Sequence, residues 1–374
     1  MLFRQLLWLW AAIPLSLCLS LSIPHHRSFF YIGGNYTVLD SGEHIRTNQV
    51  YVERLTPLDG PTQRYPLVFI HGTDQTGTNW INKPDGGNGW ASYFLSEGFE
   101  CYLLDQAARG RSPWDNSTNG PLNKLSAENL QRLFTAPERY ALWPQAINHT
   151  QWPGTGLMGD PIFDAFYAST VPSVDSEIEV ETIMRRVGVS LLLEINSPTI
   201  LIGHSQGAAL AWVAADERPD LVRAVVAIEP AGPPFREAKI LGSQPARPYG
   251  VTNTMLTYDP PVTDPENDLV KRKIVSGSPE YDDCILQAEE PRPRRLVSLG
   301  YIPQLLVTTD ASHHAGFDWC TARFLIQAGV NLHYMELKRN GIKGNAHMMM
   351  LEKNSDDVAG VIAEWIRNLD FVPM

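Results

Sequence analysis

A serine lies at the centre of a short glycine-flanked motif that could carry nucleophilic chemistry. The motif is Gly203-His-Ser-Gln-Gly207, with Ser205 in its middle. Residues 199–202 form an uncharged, apolar run that predicts a buried strand, and the small residues 208–215 predict a helix. A serine hydroxyl is a weak nucleophile, so it must project from a sharp turn of this kind towards an imidazole. The helix N-terminus would supply backbone N–H groups where an oxyanion forms.

Such a nucleophile needs a histidine to take its proton and an acid to orient that histidine. His347 lies in a predicted loop between the last strand and the C-terminal helix, whereas His313 and His314 follow the strand before it. Glu229 and Asp310 each follow an apolar strand. A carboxylate at such a place is costly unless it is paired or hydrogen-bonded, which favours a role for it.

The elements that must position these side chains alternate between strands and helices. Residues 29–39 and 49–55 predict an antiparallel pair, because apolar and polar residues alternate in both. Further strands are predicted at residues 65–70, 100–104, 199–202, 223–228, 303–308 and 330–337. Helices are predicted at residues 90–97, 180–192, 208–215 and 319–328 and at the C-terminus, the second of them behind a capping box that starts at Ser176. This order predicts an α/β fold with a mostly parallel sheet, helices on both faces and right-handed crossovers.

Two segments interrupt this alternation. Residues 113–175 are rich in proline, glycine, asparagine and aromatic residues, and they retain one predicted helix at residues 127–134. Residues 232–300 are again irregular, proline-rich and charged. Long insertions in a compact domain are usually lids or binding loops, although a satellite core under a long loop is the alternative. We expect residues 23–374 to form a single domain in which both insertions build a cap.

Composition and charge restrict the function classes. The chain has 374 residues, 44% of them hydrophobic, and a formal charge of −11. Its longest basic cluster, Arg292-Pro-Arg-Arg295, is too short to indicate nucleic-acid binding. Residues 1–22 predict a secretory signal peptide, since a basic Arg4 precedes an apolar core that is shorter than the ~20 residues a membrane span needs. We therefore expect a secreted, extracellular protein without a stable membrane span, and we make no prediction of its oligomeric state.

Sequons and cysteines fit an oxidising, secretory route. Three N-x-[ST] sequons predict glycosylation, at Asn35, Asn116 and Asn148. Cys284 and Cys320 lie in polar surroundings typical of loops, which favours a disulfide between them. Cys101 lies inside an apolar run and predicts a buried thiol. We expect no cofactor and no metal, because His313-His314 has no partner at helical i, i+4 spacing and the cysteines lack zinc spacing.

With these motifs in order, residues 29–371 resemble the α/β-hydrolase superfamily. His71-Gly72 ends a strand as the oxyanion loop of that family does, and Asp105 and Gly110 match the turn after its next strand. Ser205 matches the nucleophile elbow, and His347 lies between the last strand and the last helix. Residues 71–74 read His-Gly-Thr-Asp, so the His-Gly-Gly-Gly form of some lipases is absent.

The resemblance implies roles for particular residues. Ser205 would be the nucleophile and His347 the base, because the loop of His347 overhangs the elbow in this fold. Most members carry the acid where Asp310 lies, whereas a branch of secreted esterases carries a glutamate where Glu229 lies; we favour Glu229 and keep Asp310 as the alternative. Backbone N–H groups of Thr73 and Gln206 would form the oxyanion hole.

The implied activity is that of a secreted serine esterase or lipase that acts on a small-molecule or lipid ester through an acyl-enzyme. A peptidase or lactonase on the same fold would use the same residues, and a non-catalytic binding module is a further alternative. His204 and His71 are expected to support the backbone beside the nucleophile and in the oxyanion loop.

Overall fold

Eight strands form one sheet, in the order β1-β2-β4-β3-β5-β6-β7-β8. A computed structural model describes residues 23–371, so the predicted signal segment, residues 1–22, lies outside the described residues. The strands are β1 His25–Val38, β2 His44–Pro57, β3 Leu67–Ile70, β4 Cys101–Asp105, β5 Thr199–His204, β6 Val222–Ile228, β7 Gln304–Thr308 and β8 Leu332–Glu336. β1 pairs antiparallel with β2, and β2 pairs antiparallel with β4. From β4 to β8 every neighbouring pair is parallel. The predicted mostly parallel sheet is therefore confirmed.

Six helices in residues 23–371 have seven or more residues, and each contributes buried side chains to the core on one face of the sheet. They are α1 Trp90–Ser96, α2 Pro161–Ser169, α3 Glu177–Ile195, α4 Gln206–Glu217, α5 Asp318–Gln327 and α6 Ser355–Arg367. α3 begins at the predicted capping box, where the side chain of Ser176 accepts a hydrogen bond from the Glu179 N–H. None of the helices in residues 23–371 is long and apolar enough to cross a bilayer.

The main core consists of two apolar layers, one on each face of the sheet, and a small third cluster of Leu133, Trp143 and Ala146 lies in the first insertion. Along β5, Leu201 faces the layer that includes α3, α4 and α5, whereas Ile200 and Ile202 face the layer that includes α1 and α6. All six residues of β5 are buried. An apolar run without polar alternation is therefore what a strand covered on both faces requires. The predicted helices on both faces are confirmed.

The two insertions lie at the ends of strands and contain short elements. In residues 113–175 a strand pair joins Leu122–Asn123 to Ser173–Val174, and short helices occur at Asn116–Asn119, Ala127–Leu130, Pro137–Tyr140 and Pro144–Asn148. The predicted helix at residues 127–134 continues after Leu130 as a π-helical turn, Gln131–Thr135. In residues 232–300 two further strand pairs form, Tyr258–Asp259 with Arg295–Leu296 and Lys271–Ile274 with Cys284–Gln287. Strands this short carry too few residues to show an alternating pattern, so the sequence did not predict them.

The cysteines form the expected pairing in different surroundings from those expected. Cys284 and Cys320 are joined by a disulfide that links the second insertion to α5, and Cys101 is free and buried on β4. Cys284 begins a strand and Cys320 lies within α5, and both are buried. The expectation that they lie in polar loops was therefore wrong, because the disulfide is part of the core between the insertion and α5.

Candidate active site

Ser205 has the strained backbone that the motif predicts. It lies between β5 and α4 with φ 54° and ψ −124°, in the left-handed region that non-glycine residues rarely adopt. Its N–H donates to the carbonyl of Ile228 on the next strand, and its own carbonyl accepts from the N–H of Ala231. These bonds hold the turn between two neighbouring strand ends, so the strain is maintained by the sheet.

Glycines beside Ser205 allow three backbones to approach closely. A Cβ on Gly207 would lie 2.3 Å from the carbonyl oxygen of Ile70, and a Cβ on Gly203 would lie 2.4 Å from that of Gly207. On the facing loop, a Cβ on Gly72 would lie 3.0 Å from the Cβ of Ser205. Larger residues at positions 203 and 207 would therefore push the start of α4 away from β3 and β5.

His347 and Glu229 meet at the same edge of the sheet. Nδ1 of His347 donates to the carboxylate of Glu229 over 2.7 Å. The same oxygen, Oε2, accepts from the hydroxyl of Ser312 at 2.7 Å. The other oxygen, Oε1, accepts from the N–H and the hydroxyl of Thr309, at 2.9 and 2.6 Å. Glu229 is fully buried, so these bonds replace the water that a carboxylate would otherwise need.

This bond determines which nitrogen of His347 carries the proton. Because Nδ1 donates to Glu229, Nε2 is left with a lone pair that can accept a proton. Burial, and next the neighbouring charge of His314, hold the pKa of His347 well below its usual value. The imidazole is therefore neutral at pH 7, as a base must be before it acts.

The loop that carries His347 is held from several sides. His204 donates Nε2–H to the carbonyl of His347 at 2.9 Å. The buried carboxylate of Glu352 accepts from the side chain of Asn345 and from the N–H of Ala346. Asp310, the alternative acid, accepts from the N–H of Gly344 at 2.7 Å. The structure thus brings Glu229 to the imidazole and Asp310 to the backbone of the same loop.

The two residues predicted to bind an oxyanion lie on either side of a buried arginine. Gln206 is the first residue of α4, so its N–H has no acceptor within the helix. Arg109 donates to the Gly72 carbonyl at 2.8 Å and to the side-chain oxygen of Gln206 at 2.6 Å. It therefore joins the loop of Thr73 to the start of α4. A cavity of about 160 Å³ is lined by Thr73, Gln206 and Glu177 together with residues 123–125 and 173–175.

His71 supports the oxyanion loop through a neutral ring. The N–H of Gln106 donates to its Nε2 at 3.0 Å, so Nδ1 carries the proton and donates to the Gly72 carbonyl at 2.9 Å. Burial, followed by the charge of Arg109, lowers the pKa of His71 to about 3. Nearby, Asp105 accepts from the N–H groups of Gly77 and Arg111, which fixes the turn that carries Arg109.

The rival histidines lie against His347. The rings of His314 and His347 stack with centroids 4.7 Å apart, and the centroid of His313 lies 5.1 Å from that of His347. Nδ1 of His314 bonds Asp318 at 3.0 Å, four residues further along the chain. The statement that this histidine pair has no i, i+4 partner was therefore wrong, because residues 313–318 wind from a helical turn into α5.

Sequence reasoning missed the residues that hold the candidate site together. They are Arg109, Thr309, Ser312, Asp318 and Glu352. Ser312 and Asp318 lie close in sequence to His313 and His314, which the sequence analysis had considered as candidates. This closeness in sequence could have indicated that they contact the site. The contacts of Arg109 and Glu352 depend on packing between distant segments, which a local pattern does not reveal.

The predicted glycosylation sites are compatible with attachment of a glycan. Asn35, Asn116 and Asn148 are all exposed. Asn148 lies nearest the candidate site, since its side chain donates to the carbonyl of Asp310 at 3.3 Å. Glycosylation at the three positions stays a prediction.

Comparisons with known proteins agree with this architecture. A family model described as "alpha/beta hydrolase fold" matches residues 65–328. A protein named "Probable secreted lipase phiG", from a fungal species (strain ATCC 74256), is 43% identical over 341 residues, which is 91% of this chain and 89% of that protein. A solved structure described as a novel bacterial esterase has a TM-score of 0.62 at 21% identity, covering 93% of this chain and 98% of that one. The matched segment includes β3 to α5, and the chain belongs to the α/β-hydrolase family.

Proposed function

We propose that this protein is a secreted serine hydrolase that cleaves carboxylic esters through Ser205, His347 and Glu229. The observation that carries the proposal is the 2.7 Å hydrogen bond between His347 and the buried carboxylate of Glu229, at the edge of the sheet where Ser205 occupies its strained turn. The ring of His347 also packs against that of His204, the residue before Ser205, with centroids 4.4 Å apart. A neutral histidine that is oriented by a carboxylate and can reach such a serine is the arrangement that acyl transfer requires.

The reaction follows from the protonation state of His347. Nε2 takes the proton of Ser205 as the serine oxygen attacks the ester carbonyl, and Glu229 stabilises the imidazolium that forms. Backbone N–H groups of Gln206 and Thr73 would bind the oxyanion, held in place by Arg109. His347 then gives its proton to the leaving alcohol, which leaves an acyl group on Ser205. Water, activated by the same imidazole, releases the acid and restores the serine.

Secretion is supported by several independent features. Residues 1–22 predict a signal peptide, and the relative at 43% identity is named a probable secreted lipase. The disulfide between Cys284 and Cys320 suits an oxidising compartment. We further propose that residues 113–175 and 232–300 form a cap over one catalytic domain, because Phe134 and Trp143 of the first insertion pack against His347 and His313.

A substrate panel tests this proposal and separates it from its alternatives. We expect hydrolysis of p-nitrophenyl esters from acetate to palmitate, with the acyl-length preference read from kcat/KM, and loss of this activity in Ser205→Ala. Lactones and peptide anilides are assayed separately as comparison substrates. Faster turnover of either class than of every ester would contradict the proposal in favour of a lactonase or peptidase. No turnover of any substrate would favour a binding module.

A further inference from the structure

Three histidines form a compact cluster at the candidate site. One ring nitrogen from each of His313, His314 and His347 lies within 4.8 Å of the others, and all three residues are buried. The proposed hydrolysis uses only His347. Two buried imidazoles beside it therefore have no role in that chemistry.

The surroundings of two of these rings resemble those of metal-binding histidines. Asp318 accepts from Nδ1 of His314 at 3.0 Å, as Glu229 accepts from Nδ1 of His347 at 2.7 Å. Asp318 is itself fully buried and accepts from the hydroxyl of Thr308 at 2.6 Å. A carboxylate on one ring nitrogen orients the ring, which is how metal-ligating histidines are commonly held. The other nitrogen is then the one that a metal ion can bind, once it has released any proton that it carries.

His313 supplies a third nitrogen and a route from the surface. Its Nδ1 is buried without a hydrogen-bond partner, which is costly unless something binds there. His313 also lines a cavity of about 270 Å³ together with Trp143, Lys239, Glu280 and Asp282. The two acidic residues outnumber the one lysine in the cavity wall, which would favour entry of a cation.

We propose that His313, His314 and His347 bind a divalent transition-metal ion of the zinc class, and that this ion inhibits the enzyme by capturing the imidazole of His347. Imidazole is a preferred ligand of such ions, and three of them leave one position for water or a substrate oxygen. Tetrahedral zinc at bond lengths of about 2.0 Å places ligand nitrogens about 3.3 Å apart, so the rings must tilt towards the ion. Metal on Nε2 of His347 would block the lone pair that takes the serine proton. The inhibition, though not the binding, rests on the proposed function.

Calorimetry with ZnCl₂ in a non-chelating buffer tests the site without any substrate. We expect one high-affinity ion per chain, with binding at least tenfold weaker in His313→Phe, whose ring keeps the contact with Trp143. His333→Phe is the matched control, because His333 is exposed on β8, away from the cluster; this variant should bind zinc as the unmodified protein does. The absence of a high-affinity site, or equal binding by His313→Phe, would overturn the proposal.

Labelling of Ser205 by a fluorophosphonate probe tests the inhibition. Zinc should slow labelling of the unmodified protein at least tenfold, EDTA should restore it, and His313→Phe should resist the effect. Equal slowing in His313→Phe, or no slowing while calorimetry reports a bound ion, would contradict capture of His347. If the metal-free protein is not labelled at all, the proposed hydrolase function fails, while calorimetry still decides the metal site.

Discussion

Nδ1 of His347 and the carboxylate of Glu229 are joined by a hydrogen bond of 2.7 Å, although they lie 118 positions apart in the sequence. Glu229 directly follows β6, and His347 lies in the loop between β8 and α6, so the parallel sheet brings both to one edge. The carboxylate also accepts from Thr309 and Ser312. Its orientation is therefore fixed before any substrate binds, which is what orienting an imidazole requires.

Exchange of each candidate acid for its amide distinguishes Glu229 from Asp310. We expect Glu229→Gln to lower kcat by about 100-fold or more, because an amide facing Nδ1 favours the wrong imidazole tautomer. Asp310→Asn should stay within about tenfold of the unmodified protein, since this carboxylate only accepts the N–H of Gly344. Both are measured as kcat on p-nitrophenyl butyrate. The opposite order would assign the role of the acid to Asp310.

Replacement of Arg109 tests how the oxyanion loop is held. Arg109→Met removes the hydrogen bonds to the Gly72 carbonyl and the Gln206 side chain. We expect kcat to fall about 10- to 100-fold with a smaller change in KM, because the lost contacts position the N–H groups that we propose bind the oxyanion. Gln206→Ala, which removes one of the two bonds, should have an intermediate effect. If thermal stability falls while kcat stays within twofold, Arg109 has only a structural role.

Two glycines in different helices, Gly207 and Gly360, should respond oppositely to replacement by alanine. In α6, a Cβ on Gly360 would meet only the Tyr93 hydroxyl at 3.4 Å, so Gly360→Ala should stabilise the protein by up to about 1 kcal/mol. In α4, a Cβ on Gly207 would lie 2.3 Å from a backbone oxygen, so Gly207→Ala should destabilise it by about 1–3 kcal/mol. Urea unfolding measures both free energies. Equal effects would contradict the close approach at the elbow.

His149 links the first insertion to the loop of His347 in a pH-dependent way. Its Nδ1 lies 2.8 Å from the carboxylate of Glu138, and its Nε2 lies 2.7 Å from that of Glu352. Burial lowers the pKa of His149, but hydrogen bonds to the two carboxylates and their charges outweigh it and raise the pKa to about 9. The protonated form is thus favoured by folding. Its contribution to stability, roughly 3 kcal/mol at most, is complete below about pH 6.5 and disappears as pH rises through 9.

Thermal unfolding between pH 6 and 10 tests this link. We expect Tm to fall across this range in the unmodified protein and to change less in His149→Gln, which lacks the titrating group. Glu138→Gln should retain part of the slope, because Glu352 still pairs with the imidazole. A slope in His149→Gln equal to that of the unmodified protein would assign the pH dependence to other groups.

The order of strands and helices was predictable because each buried strand is a continuous apolar run. Residues 200–202 of β5 and 224–228 of β6 are uncharged and fully buried, and Ser176 marks the start of α3 directly. The elbow was predictable for the same reason, since Gly203, Ser205 and Gly207 lie between two such elements. β1 and β2 are longer than predicted, because the exposed ends of a hairpin have few apolar residues from which a strand could be predicted.

The contacts around the candidate site were less predictable because they join segments far apart in the chain. Arg109 sits in a polar turn that a sequence pattern would leave at the surface, yet it is buried against the loop of Gly72 and the start of α4. Glu352 follows a run of methionines and gives no local sign that it binds Asn345 and His149. A polar side chain can be buried when it finds hydrogen-bond partners, and here those partners come from distant segments that meet only in the folded chain.

Fluorophosphonate labelling followed by peptide mapping tests the central claim most directly, because the probe reacts with an activated serine whatever the natural substrate is. We expect a single labelled peptide that contains Ser205, no labelling in Ser205→Ala, and labelling slowed about 100-fold or more in Glu229→Gln. Label on another serine, or no label on a protein that unfolds cooperatively, would contradict it.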